Sequence, residues 1–452
     1  MARKFPENLA AEGANYSAKR LGLGTQGLST TRNSHLAATA LAALPGHGED
    51  AARAPAIRNR RLVTGRVLTK RSVEDRLHLR TGPRRLLVVA TYPVAGAATR
   101  YRAVSYFEAL RAQGIEADLC TFYNDREFSV LYSGGLVRNA TSTLRGLGRL
   151  LRVGLRSRNY DAVLVQREAA PLGPPWLEAF LRERRRLPLI FDFDDAIWLP
   201  QPEKSAYPRL ARWLRPEKAL ALMRRASAVI AGSHALAARA RLENDSVFVL
   251  PTTVPAANWA PAVGKAVGEL CSDVPVVGWV GTHSTAPQLE VALRALERLA
   301  ARGLRFRLRV VGALRGLPRT TLPVESEAWR LAEEVRDFQR LDIGLAPMFD
   351  DPWSAGKCGF KQLQYMATGV PMVSSPVGGA KEFLSDEQDA LFATSVDAWT
   401  SQLMRLLVDA DLRQRLALAA HAKFLAELST EVQAKRFVGI VRGVLKEPAP
   451  AE

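Results

Sequence analysis

Short apolar runs alternate with stretches of helical periodicity along most of this chain. From residue 84 onward, runs bounded by turn residues read as buried strands at 85–90, 115–119, 162–165, 187–191, 228–230 and 247–250. Between them, 104–113, 176–185 and 236–242 repeat apolar residues every three or four positions, as helices with one buried face do. Repeated β-α units predict a parallel sheet with helices on both faces. Pro251-Thr252-Thr253-Val254-Pro255 interrupts the series, and 256–273 carries no strand pattern, which predicts a linker. A second series follows, with strands at 274–280, 306–311, 343–346, 370–374 and 390–392. Its helices are expected at 287–302, 328–338, 360–368 and from 396 onward. The expected fold class is α/β, with two doubly wound, Rossmann-like domains over 84–255 and 274–430. Ligands of such sheets bind beyond the carboxyl ends of the strands, so the loops there hold the candidate chemistry.

Composition changes this picture in three places. Residues 1–83 are basic, rich in small residues and weakly periodic, which predicts an extension with little ordered structure. The apolar run at 36–44 reads as a short helix, far from the roughly 20 residues a membrane span needs. The 63 Lys and Arg against 45 Asp and Glu give a net charge of +18. That balance favours an anionic partner such as nucleic acid, acidic lipid or a phosphorylated substrate; arginine-coated helices would produce it equally. Three scattered cysteines, Cys120, Cys271 and Cys358, suit a reducing cytoplasm better than a disulfide framework. The six histidines lack ligand spacing, so no metal is expected. Arg145, Arg149, Arg152 and Arg156 lie among Leu144, Leu147, Leu150, Leu151 and Leu155. That spacing suits a basic amphipathic helix resting on anionic lipid, or an ordinary surface helix with a buried leucine stripe.

The richest stretch runs from Asp350 to Glu382. Gly359 opens a helix with Phe360, Leu363 and Met366 at helical spacing, and Gly369 closes it. If the helical phase extends back, Lys357, Lys361 and Gln364 share one side. Free N–H groups at a helix start, with two ammonium groups beside them, suit a diphosphate; Gln364 could bond a ribose hydroxyl. A solvated polar row is the plainer reading. Gly281 and Gly378-Gly379 follow strands, where they allow close approach to a phosphate or sugar, or simply make tight turns. In the first half, Arg100 and Arg102 follow the first strand and could hold a phosphate or an anionic acceptor. Asp192, Asp194 and Asp195 are expected at the end of the fourth strand. Carboxylates there must be solvated, paired or functional, for instance in bonding acceptor hydroxyls or moving a proton.

The run GFKQLQYMATGVPMVSSPVGG, with Asp342–Pro347 before it and Val277-Gly278-Trp279-Val280-Gly281 upstream, resembles the donor-binding region of group 1 glycosyltransferases, the retaining family 4. The resemblance implies the GT-B fold, two Rossmann-like domains facing across a cleft, with a C-terminal helix over 431–452 crossing back to the first domain. It implies a nucleotide-sugar donor in the second domain and a saccharide or lipid-linked acceptor in the first. Retention, no cofactor and no metal are implied as well, with a cytoplasmic location and contact with the inner face of the plasma membrane where acceptors are lipid-linked. Glu382 matches the family's glutamate after the glycine pair and joins the donor site. Members often carry an acidic run at the first domain's strand end, so Asp194 and Asp195 become catalytic candidates, with Asp192 toward the acceptor.

The chain also departs from that family. Its two glutamates, eight residues apart, fall here at Gly356 and Gln364, and its Arg and Lys pair for the diphosphate has no match in 281–285. Lys357 and Lys361 are expected to replace that pair, Lys361 stabilising the leaving diphosphate. Strand–Asp-x-Asp also resembles the nucleophile loop of haloacid-dehalogenase-type phosphatases, which would make Asp192 the nucleophile and Asp194 the acid/base. A basic nucleic-acid-binding protein is the remaining alternative, though no aromatics interleave with the charges.

Overall fold

The computed structural model describes residues 83–131, 135–199 and 217–445. Apart from Pro83, the extension expected over 1–83 lies outside them. Two six-stranded sheets, parallel throughout, organise the rest. The first contains β1 (Arg84–Ala90), β2 (Ile115–Thr121), β3 (Ala162–Gln166), β4 (Leu189–Phe193), β5 (Ala228–Ala231) and β6 (Val247–Val249), in the order β2-β1-β3-β4-β5-β6. The second contains β7 (Val276–Val280), β8 (Arg307–Val311), β9 (Val324–Glu327), β10 (Ile343–Ala346), β11 (Met372–Ser374) and β12 (Leu391–Phe392), in the order β12-β11-β10-β7-β8-β9. Each sheet starts inside and grows first one way, then the other. The crevices therefore open between β1 and β3 and between β7 and β10.

Near-continuous apolar runs make these strands because both faces of each sheet are covered. Strands β3, β4 and β7 are buried along their whole length. Separate clusters line the two faces, Val163 and Phe191 on one side of the first sheet and Leu86, Val88 and Leu164 on the other. The helices used below are α1 (Ala97–Arg102), α2 (Leu136–Arg156), α3 (His234–Ala240), α4 (Glu334–Gln339), α5 (Phe360–Thr368) and α6 (Thr430–Leu445). Helix α6 returns to the first sheet, where Phe437 packs with Leu86 and Val88 and stacks on Tyr106 at 4.3 Å.

Three local differences from the sequence expectation have clear causes. Strand β4 begins after Pro188, which has no N–H to donate, and runs on to Phe193; Asp192 thus lies inside the sheet and not in its loop. Strand β9 was not expected, because Val-Glu-Ser-Glu lacks apolar alternation. It holds a sheet edge through ion pairs from β8, Arg307 to Glu325 and Arg309 to Glu327, each at 2.7 Å. Helix α2 turns its small residues Ser142, Gly146 and Gly154 inward with Leu150, and a Cβ on Gly146 would lie 2.7 Å from the Phe122 ring. Its exposed face carries Val137, Leu144, Leu151 and Leu155, with Arg138, Arg145, Arg152 and Arg156 beside them. Among the described residues, no helix is long and apolar enough to cross a membrane.

Candidate active site

Helix α5 positions the C-terminal crevice. Gly359 and Gly369, at φ 70° and 67°, adopt the left-handed backbone that starts and stops it. The Tyr365 hydroxyl donates to the carbonyls of Leu345 at 3.0 Å and Gly278 at 3.3 Å, tying the helix to β10 and β7. Gly344 leaves room for this ring, since a Cβ there would lie 2.8 Å from it. From the first turn, Lys361 places its Nζ 3.9 Å from the ring centroid of Trp279, near the end of β7. Gly281 follows, and a Cβ there would sit 2.4 Å from the same indole. No described carboxylate pairs with Lys361. Burial, reinforced by the Lys357 ammonium, holds Lys361 well below the usual lysine range. One turn on, Gln364 is buried, and its side-chain amide makes no hydrogen bond to a described residue.

The other expected donor groups are engaged elsewhere. The left-handed Gly359 breaks helical phase, so Lys357 does not join Lys361. Its Nζ lies 2.5 Å from Asp195 Oδ1 and 4.9 Å from the Trp353 ring centroid. Gly378, at φ 64°, packs where a Cβ would come within 2.6 Å of the Lys357 carbonyl oxygen, and the Gly379 N–H donates to that oxygen at 2.6 Å. These glycines allow backbone to pack on backbone; the Gly379 N–H is not free for a phosphate. Glu382 accepts from the N–H groups of His234 at 2.8 Å and Ala235 at 3.1 Å, with His234 Nδ1 at 3.0 Å. It caps α3 of the first domain, satisfying free donors at that helix start, so its expected place in the donor site is corrected.

On the N-terminal side, pairing again corrects the expectation. Arg102 and Asp192 are buried and form a bidentate ion pair, Nε to Oδ2 at 2.8 Å and Nη2 to Oδ1 at 2.6 Å. Arg102 also donates to the Leu250 carbonyl and Thr252. Neither residue faces an acceptor or phosphate, and Asp192 cannot reach phosphorus as a nucleophile, which removes the phosphatase reading. Arg100 grips both Glu334 oxygens of α4, at 2.7 and 2.9 Å, and Tyr101 donates to the same carboxylate at 2.8 Å. Asp194 and Asp195 are bridged by Arg167, Nε to Asp194 at 2.6 Å and Nη2 to Asp195 at 2.8 Å. Burial opposes ionisation of Asp194, but Arg167, Arg102 and Lys357 hold its carboxyl below the usual range. Arg167 engages both carboxylates and Lys357 takes Asp195 as well, so the catalytic expectation for the two aspartates is corrected to a structural one on their pairing.

Sequence reasoning missed Arg167. A lone arginine after a strand carries no motif, and its backbone φ of 62° shows only in the fold. Domain contact also accounts for Gly356. A Cβ at that position would lie 2.6 Å from the Ala196 Cβ, so the loop after β4 fills the space the family's glutamate would need. Nearby, Cys358 Sγ donates to the Asp194 carbonyl at 3.0 Å, and Gly232 leaves room for that sulfur.

Residues 274–409 match the family model described as Glycosyl transferases group 1. A curated relative, D-inositol 3-phosphate glycosyltransferase of Corynebacterium urealyticum, is 31% identical over 125 residues, covering 26% of this chain and 28% of the relative. The chain thus aligns with little more than a quarter of that relative's length. Among solved structures, a glycosyltransferase from Rickettsia africae superposes with a TM-score of 0.58 at 15% identity, covering 82% of this chain and all of that one. Sucrose-phosphate synthase from Thermosynechococcus elongatus gives 0.58 at 15% identity, over 80% and 99%. Anabaena Alr3699/HepE, solved with UDP and glucose, gives 0.54 at 15% identity, over 79% and 99%. The fold is the two-domain GT-B arrangement of these glycosyltransferases.

Proposed function

We propose that the protein transfers a sugar from a nucleotide-diphosphate sugar to a hydroxyl acceptor, with the donor diphosphate held at Lys361 and the Gly281 turn. One observation carries the reading: Lys361 is a half-buried lysine without a carboxylate partner, set over the Trp279 ring in the crevice where doubly wound sheets bind ligands. The group 1 match spans Gly281, Lys361 and Gln364, and a structural neighbour holds UDP and glucose. In the reaction the bond from the anomeric carbon to the distal phosphate oxygen breaks, the acceptor hydroxyl oxygen bonds that carbon, and the hydroxyl proton leaves with the diphosphate, on which negative charge develops. A fixed ammonium there stabilises the departing group more than the bound donor. Gln364, a neutral acceptor, would bond a ribose hydroxyl more weakly than a glutamate does. Transfer with retention of a hexose, without a metal, is the form that family resemblance supports. Calorimetric titration with UDP, GDP and their sugars tests the reading. One of these binds the wild type, and Lys361→Ala weakens it on the order of 100-fold, the size of a charge-assisted hydrogen bond to phosphate. Failure of every nucleotide to bind the wild type overturns it.

The exposed leucine stripe of α2 supports a second element, attachment to an anionic membrane where a lipid-linked saccharide of polysaccharide assembly would meet the site. Apolar side chains flanked by arginines suit the headgroup boundary of such a surface. The protein should co-sediment with phosphatidylglycerol vesicles but not phosphatidylcholine vesicles, and Leu144→Glu with Leu151→Glu should release it. Equal sedimentation of that double variant would remove α2 from the account.

A further inference from the structure

The donor reading leaves open what keeps Lys361 in place. A lysine with four rotatable bonds and no carboxylate partner would ordinarily turn to water. Here its ammonium stands over the face of Trp279, 3.9 Å from the ring centroid. Trp279 is fully buried and its Nε1 makes no hydrogen bond to a described residue, so hydrogen bonding does not explain an indole there. It belongs to the apolar core that includes Ala286, Leu289 and Leu293, which a leucine at 279 would also extend. An aromatic face adds attraction for a cation, and the tryptophan face attracts it most strongly. The same indole lies against Gly281, where a Cβ would sit 2.4 Å away, so the lysine and the glycine turn share one ring as their common neighbour. Lys357, whose charge also bears on Lys361, is engaged with Asp195 and Trp353.

We infer that Trp279 is a positioning residue of the donor site, its indole face holding the Lys361 ammonium against the Gly281 turn so that this one lysine meets the nucleotide diphosphate in place of an arginine–lysine pair. The inference rests on the donor reading above. It predicts that replacing the indole harms recognition of phosphate and leaves recognition of the nucleoside intact, because Trp279 acts only through Lys361.

The test compares binding of UDP and uridine, or GDP and guanosine where the guanine nucleotide is the one bound. Calorimetry reads the diphosphate and ligand-observed NMR the nucleoside, for wild type, Trp279→Phe, Trp279→Leu and Lys361→Ala. Trp279→Leu should weaken the diphosphate about tenfold and Trp279→Phe about threefold, as expected when a desolvated cation–π interaction is removed or reduced. Nucleoside binding should not change. Adding Trp279→Leu to Lys361→Ala should cost no further affinity, since both remove one arrangement. Equal weakening of diphosphate and nucleoside would make Trp279 a packing residue and overturn the inference. So would wild-type diphosphate affinity in Trp279→Leu; if Lys361→Ala still loses binding there, the donor reading stands without it. Where Trp279→Leu unfolds, Trp279→Phe decides by the same comparison. A wild type that binds no nucleotide overturns both readings.

Discussion

The two crevices of this molecule treat charge in opposite ways. At the ends of β7 and β10, Lys361 places its amino group without a carboxylate partner over an aromatic ring. Around the ends of β1, β3 and β4, Arg100, Arg102, Asp192, Asp194 and Asp195 are all neutralised by protein partners. Three of these contacts join the domains: Arg100 with Glu334, Lys357 with Asp195, and Glu382 with the start of α3. Withdrawing a cation from water without a carboxylate partner is unfavourable, and a ring face offsets only part of that cost, which is why the donor reading is placed at Lys361. A paired charge needs no ligand to explain it. The contrast separates a binding site from a clasp more sharply than position at a strand end does.

The largest effect expected from breaking this contrast comes at Arg102. Replacing it with Met leaves Asp192 buried in β4 without its bidentate partner. Loss of one member of such a pair costs about 3–5 kcal/mol, and urea unfolding should show a fall of that size. Arg102→Met with Asp192→Leu should recover most of it, because no charge is then stranded. A loss under about 1 kcal/mol in the single variant would mean that the pair is solvated and free to serve a ligand after all.

Sequence pattern carried the fold a long way and the site only part of the way. Apolar runs such as Leu86–Ala90 and Val276–Val280 declare buried parallel strands, because both faces of the sheet demand apolar side chains. Strand β9 was hidden because its stability comes from Arg307 and Arg309 on the neighbouring strand, a relation that no local window contains. Lys361 could be singled out because its helix start, its glycine and its motif are contiguous in sequence. The partners of Asp194, Asp195 and Glu382 were not. Arg167, Lys357 and His234 lie 27, 162 and 148 residues away and meet them only after folding. Helix α2 shows the same limit, since its leucines have helical spacing on either face and only the small residues against Phe122 decide which is buried.

A smaller effect tests the clasp at Gly356. Family resemblance would place a glutamate there, and Gly356→Glu restores it. With a Cβ already 2.6 Å from that of Ala196, the longer side chain must push the loop after β4 away. Overpacking of this kind costs about 1–3 kcal/mol, to be read by thermal unfolding. The variant should gain no affinity for UDP, because its carboxylate is forced into the domain contact and not toward the donor. Unchanged stability with tighter UDP binding would show that this space belongs to the donor.

The smallest effect is the most diagnostic, because it has a sign that packing alone does not give. Burial depresses Lys361 in the folded chain, whereas the unfolded chain titrates near the ordinary value of about 10.4. Between the depressed value and about 10.4, the unfolded state binds a proton that the folded state does not, so stability falls as pH drops through that window. Lys361→Met removes the penalty. The variant should therefore be more stable than wild type near pH 7, and the gap should close as pH rises toward about 10.4. Taking the difference between two chains that differ at one residue cancels the other titrating groups. Saturating UDP should narrow the gap at pH 7 as well, because the diphosphate binds wild type and stabilises the protonated lysine. Parallel stability curves for the two chains would mean that Lys361 is already solvated or paired, and the contrast between the two crevices would disappear.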